Sequence, residues 1–148
     1  MREPAVQTMT PTEARTKLLE QHEGLRTLLA AAEISARRVL QGETVLAEFR
    51  RGLDALRSAL AEHNRTEEAL LEPMLSGADD WGPKRVARMT EEHLAEHAAV
   101  RAALAGPEVE VAQRMADLVE DLLAHMAAEE RTFLSPGVLR DAPRTRGG

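Results

Sequence analysis

The sequence predicts an all-α protein folded as an antiparallel, up-down-up-down four-helix bundle. Three observations lead there. Ala, Leu, Glu and Arg dominate the 148 residues and tyrosine is absent, which is helix-forming composition. Apolar residues recur at steps of three and four in four separate stretches, the spacing that gathers side chains on one helix face. Short breaks marked by Gly and Pro join the stretches, and short connections between long helices favour antiparallel neighbours.

Thr10-Pro11-Thr12-Glu13 reads as the start of the first helix, with Thr10 as N-cap, Pro11 in the first turn and Glu13 closing a capping box. Its stripe runs Leu18, His22, Leu25, Leu29, Ala32, Ala36, Val39, and Gly42 ends it. A second helix starts near Glu43-Thr44 with the stripe Leu46, Phe49, Leu53, Leu56, Leu60, His63, Glu67, Leu70, Met74; Pro73 should kink or end it. Residues 77–82 form a turn in which Trp81 is expected to cover a bundle end, and Pro83 opens the third helix. That helix carries Val86, Met89, His93, His97, Val100, Leu104 and closes at Gly106-Pro107. The fourth carries Val111, Met115, Leu118, Leu122, His125, Glu129, Phe133 and is broken by Ser135-Pro136-Gly137. This organises the chain as a lead-in over 1–10, a bundle over 11–134 and a mobile tail over 135–148.

Composition excludes several classes of function. A formal net charge of -6 opposes general nucleic-acid binding, which needs a basic face. Without cysteine there is no disulfide framework, thiolate metal site or thiol nucleophile. Residues 1–20 lack a signal-peptide core, and no run of about 18 apolar residues is present to span a bilayer. A cytoplasmic protein without membrane partners, monomer or homodimer, is the expectation.

All five histidines, His22, His63, His93, His97 and His125, fall on these stripes. If about a third of helical positions face the core, chance places five there with odds on the order of 1 in 250. Glu67 and Glu129 follow His63 and His125 by four residues, one turn further along the same face. Buried ionisable side chains are costly unless partnered, and a pair of bound metal ions partners them most economically. The depths agree in part. His22 and His63 lie symmetrically about Gly42, and His63 and His97 about Asp80, but the midpoint of His93 and His125 overshoots Gly106-Pro107 by about one turn. Imidazole and carboxylate suit first-row metals, and the spacing of His93 and His97 lets both reach one ion. Glu91, Glu92 and Glu96 mark the solvated side of the third helix.

The set H…HxxxE…HxxxH…HxxxE on four helices resembles the hemerythrin or HHE cation-binding family over residues 12–134. The resemblance implies two iron ions in a non-haem centre with a bridging oxo or hydroxo group. His93, His97 and His125 would bind one iron, His22 and His63 the other, and Glu67 and Glu129 would bridge. The two-histidine iron would keep an open position for dioxygen. The oxygen carriers of the family place an aspartate five residues after the last-helix histidine. Here that residue is Glu130, whereas Glu129 keeps the stripe's phase and Glu130 lies about 100° round the helix, so Glu129 is preferred. Absence of tyrosine argues against radical-storing chemistry. Leu18, Leu25, Leu60, Leu122 and Met126 are candidates for an apolar pocket over the open site.

Dioxygen binding, or reaction with peroxide or nitric oxide, is therefore the leading expectation. An iron-buffering or metal-transfer module predicts readily exchangeable metal. A di-iron oxygenase requires a channel for an organic substrate. A metal-free interaction bundle predicts indifference to chelators.

Overall fold

The threonine and glutamate that promise a helix start deliver one. Thr10 Oγ1 accepts from the Glu13 backbone N–H at 3.1 Å and Glu13 Oε1 accepts from the Thr10 N–H at 3.0 Å, the reciprocal pair of a capping box. From there a computed structural model, which describes residues 9–77 and 80–138, forms four helices. They are α1 (Pro11–Leu40), α2 (Leu46–Ser76), α3 (Gly82–Ala103) and α4 (Glu108–Arg131). Helix α1 packs on α2 and α4, and α3 completes the square against the same two. Gly42 and Gly106 take φ of 81° and 97°, left-handed values that glycine reaches without a Cβ penalty, and both lie where the chain reverses.

Pro73 does not end α2. It sits in the helix's last turn, so only one backbone bond is forgone, and Gly77 N–H still closes on its carbonyl at 3.3 Å. Beyond Glu67 the buried positions are Leu71 and Leu75, with Leu70 and Met74 half-buried, a departure from the expected stripe. Two successive steps of four carry Leu71 and Leu75 under Phe133 and Leu134. Those two residues follow α4 in a turn held by Leu134 N–H to Glu129 O at 2.8 Å and by Arg15 Nε to Leu134 O at 2.6 Å. Trp81 does not cover a bundle end. It is 59 % exposed with Lys84 Nζ 5.0 Å above its ring, because its neighbour Gly82 is the residue that turns inward, against the Leu75 carbonyl.

Two apolar layers make the core. The larger fills the half of the bundle near the α1–α2 and α3–α4 turns, around Leu29, Phe49, Leu56, Met115 and Val119. The smaller closes the other half with Leu18, Leu71, Leu75, Met89, Phe133 and Leu134. Each fully buried leucine contributes roughly 1.5–3 kcal/mol. Between the layers lies a belt of polar side chains. Residues 1–8 and 139–148, which include most of the expected lead-in and tail, lie outside the described residues. Among the described residues no helix is long and apolar enough to cross a membrane.

Candidate metal centre

The belt draws one histidine from each helix. His22 on α1, His63 on α2 and His93 on α3 are buried, as are Glu67 and Glu129, while the His125 side chain is 22 % exposed. Their positions follow from helix periodicity: His22 lies one turn from Leu18 on one side and Leu25 on the other. His63 with Glu67, and His125 with Glu129, repeat one spacing on α2 and α4, so each pair shares a helix face.

The rings are oriented by their outer nitrogens. His22 Nδ1–H donates to Glu130 Oε2 at 2.8 Å, His63 Nδ1–H to Gln21 Oε1 at 2.7 Å and His93 Nδ1–H to Glu68 Oε1 at 3.2 Å. In a neutral imidazole this assigns the lone pair to Nε2. All four Nε2 atoms converge on two carboxylates. Glu67 presents Oε1 to His93 at 2.6 Å and Oε2 to His63 at 2.9 Å. Glu129 presents Oε1 to His22 at 3.0 Å and Oε2 to His125 at 3.1 Å. Each carboxylate therefore spans the two halves of the site.

Lone pairs facing lone pairs repel unless a proton or a metal cation stands between them. His22 Nε2 and His63 Nε2 are 3.2 Å apart, and Glu67 Oε2, though close to His63, makes no hydrogen bond despite complete burial. Such an orphaned oxygen is expensive in a protein interior. A cation satisfies every one of these atoms, and the donor set of imidazole nitrogen and carboxylate oxygen suits a first-row metal. His22, His63, Glu67 and Glu129 have ligand atoms within 4.8 Å of one another, and so do His93, His125 and Glu129. Glu129 belongs to both groups.

Titration behaviour reports the same demand for positive charge. Burial pushes the His63, His93 and His125 imidazoles down, but attraction to Glu129 and to the other nearby carboxylates outweighs it. The net values rise to about 9, about 11 and about 10. Burial pushes the Glu129 carboxyl up, yet the surrounding imidazoles hold it far below the usual carboxylate range.

Six of the seven expected ligands thus meet, and His97 does not join them. It is exposed, with Nε2 accepting from Asn64 Nδ2 at 3.0 Å. The inward position on α3 is Glu96, which the sequence had suggested for the solvated side; its side chain is only 9 % exposed and its Oε2 lies 3.0 Å from His125 Nε2. The reason is spacing. Continuing Val86, Met89, His93 by strict alternation of three and four reaches Glu96 and then Val100, whereas His97 needs two consecutive steps of four. Gln21 and Glu68, which orient two of the rings, were also missed, and Glu130, weighed only as the alternative to Glu129, orients a third. Each adjoins a stripe residue in sequence, and that adjacency was the available signal. Glu130 is held away from the centre by His22 Nδ1 and by Arg26, 2.7 Å from its carboxylate.

A family model, the hemerythrin HHE cation binding domain, matches residues 14–135. The chain belongs to the hemerythrin HHE family. Comparison with curated proteins and with solved structures gave no match. As a hemerythrin-type domain the chain has a cation-binding fold, and its histidine and glutamate cluster is placed and oriented to hold metal. A cavity of about 340 Å³ opens between α3 and α4 beside that cluster, with His125 and Glu96 among its walls and Val100, Leu118 and Leu122 supplying apolar surface.

Proposed function

We propose that this domain carries a non-haem di-iron centre that binds dioxygen or reacts with a related small molecule such as peroxide or nitric oxide. The observation that carries the reading is the convergence of four Nε2 atoms on two carboxylates, each offering one oxygen to either half. His22 and His63 would hold one ion, His93 and His125 the other, with Glu67 and Glu129 between them. Bound iron would supply redox chemistry and affinity for small neutral ligands.

The protein's own part is positioning and exclusion. Glu130, Gln21 and Glu68 keep the Nδ1 protons of three rings pointing outward, so that the inner nitrogens stay free for metal. Leu18, Leu25, Leu60, Leu122 and Met126 are buried above and below the belt and keep bulk water from it. The cavity at His125 gives a small molecule an approach. A place in the cytoplasm, as monomer or homodimer, goes with this reading.

The test is to load the chain anaerobically with Fe(II), count bound iron, and record the optical spectrum under argon, then air, then argon again. Two irons per chain with a band that appears in air and reverses under argon supports binding. Peroxide consumption proportional to bound iron supports turnover. Loaded protein showing neither behaviour overturns the proposal. A di-iron oxygenase acting on an organic substrate is the second reading, favoured by the apolar walls and size of the cavity. Oxidised organic product from loaded protein would distinguish it.

A further inference from the structure

We propose that Glu96, and not His97, completes the ligand set on the α3–α4 side of the centre. The inference rests on the metal-site reading above. Four contacts lead to it. Glu96 Oε2 lies 3.0 Å from His125 Nε2, the same nitrogen that stands 3.1 Å from Glu129 Oε2. An imidazole nitrogen has a single direction along which it donates a proton or binds an ion, so two carboxylate oxygens crowd one position. A cation placed on His125 Nε2 meets both.

The other Glu96 oxygen is tethered. Asn64, a buried residue of α2, extends Nδ2 to Glu96 Oε1 at 3.3 Å and to His97 Nε2 at 3.0 Å. The amide nitrogen carries two hydrogens, enough for both acceptors. Asn64 therefore does two things at once. It orients the Glu96 carboxylate toward the centre and engages the His97 lone pair at the surface, outside the cluster.

With Glu96 counted, the half built on His93 and His125 becomes richer in oxygen and negative charge than the half built on His22 and His63. The two ions then bind unequally, and the half on the cavity side is the one that loses affinity when Glu96 is changed.

Anaerobic equilibrium dialysis with Fe(II), on the wild-type chain and on Glu96→Gln, Glu96→Asp and His97→Gln, tests this, with melting temperature as a second readout. The expected result is two ions for the wild type and His97→Gln, with equal gains in melting temperature on loading. Glu96→Gln should weaken one of the two ions tenfold or more and lose part of that gain. Glu96→Asp, which keeps the charge but withdraws the carboxylate, should weaken the same ion and covers the case in which Glu96→Gln does not fold. Unchanged binding in the Glu96 variants, or loss of an ion in His97→Gln, overturns the Glu96 assignment alone. No uptake by the wild-type chain overturns the site reading with it.

Discussion

His22 is gripped on both edges by consecutive glutamates: Nδ1 stands 2.8 Å from Glu130 and Nε2 stands 3.0 Å from Glu129. Neighbouring residues on a helix point about 100° apart, which is why one carboxylate faces inward and the other reaches around the ring. The two glutamates accordingly have different duties, and mutation should separate them.

Glu129→Gln should reduce bound iron below two per chain and destabilise the metal-free fold by about 3–5 kcal/mol, the cost of stripping a buried charge of its partner. Glu130→Gln should retain both ions. Its pair with Arg26 is partly solvated, so the loss should be about 1 kcal/mol or less. Metal analysis with urea denaturation of the two variants checks the contrast; equal metal loss in both would contradict it.

The chelated chain should respond to pH in a particular direction. His63, His93 and His125 have folded values of about 9, 11 and 10, above the unfolded value near 6.5. Their contribution is complete below the unfolded value and disappears as pH rises through the folded ones. Glu129 is displaced downward, so its contribution is present above the ordinary carboxylate range and fades only in strong acid. Metal-free protein should therefore melt progressively lower between about pH 7 and 11. Thermal melts in EDTA across that range are the measurement, and a melting temperature that rises toward pH 10 would contradict the assignment.

Metal removal at neutral pH should lower the melting temperature, because ions that bind only the folded form stabilise it by mass action. Calorimetry of loaded and EDTA-treated chain reads the difference directly. Identical melts would mean that the belt folds around protons alone.

Leu56→Ala probes the core apart from the site. Leu56 is fully buried in the larger apolar layer, so truncation should cost about 2–5 kcal/mol while leaving the number of bound ions unchanged. Denaturation and metal analysis of the same preparation test both halves of the statement.

The bundle was readable because local and global signals agree. Thr10 with Glu13 marks one boundary, Gly42 another, and every stripe residue expected on α1 is buried. The site was readable wherever a ligand's neighbours fixed the phase: His22 between Leu18 and Leu25, Glu129 after Leu122 and His125. On α3 the choice between Glu96 and His97 is a single residue, and residue type and helix phase point different ways there. The histidine looks like a ligand, but geometry turns the glutamate inward, so four histidines, not five, reach the centre. Leu71 and Leu75 were missed for the opposite reason, since the end of α2 follows Phe133 and Leu134 across the bundle rather than its own earlier rhythm. Asn64 left no trace in any periodic pattern; only its contacts across to α3 reveal it.

The belt between the two apolar layers also acts as a lock on axial alignment. Were α4 to slide by one turn against α1, Glu129 would leave the His22 nitrogen and meet the leucine above or below it. A carboxylate against hydrocarbon is prohibitive, while leucine meeting leucine after such a slip still buries apolar surface and opposes it far less. The residues that gather a cation thereby also dictate which rung of each helix faces which, so the catalogue of alternative helix alignments is reduced to one before any ion arrives.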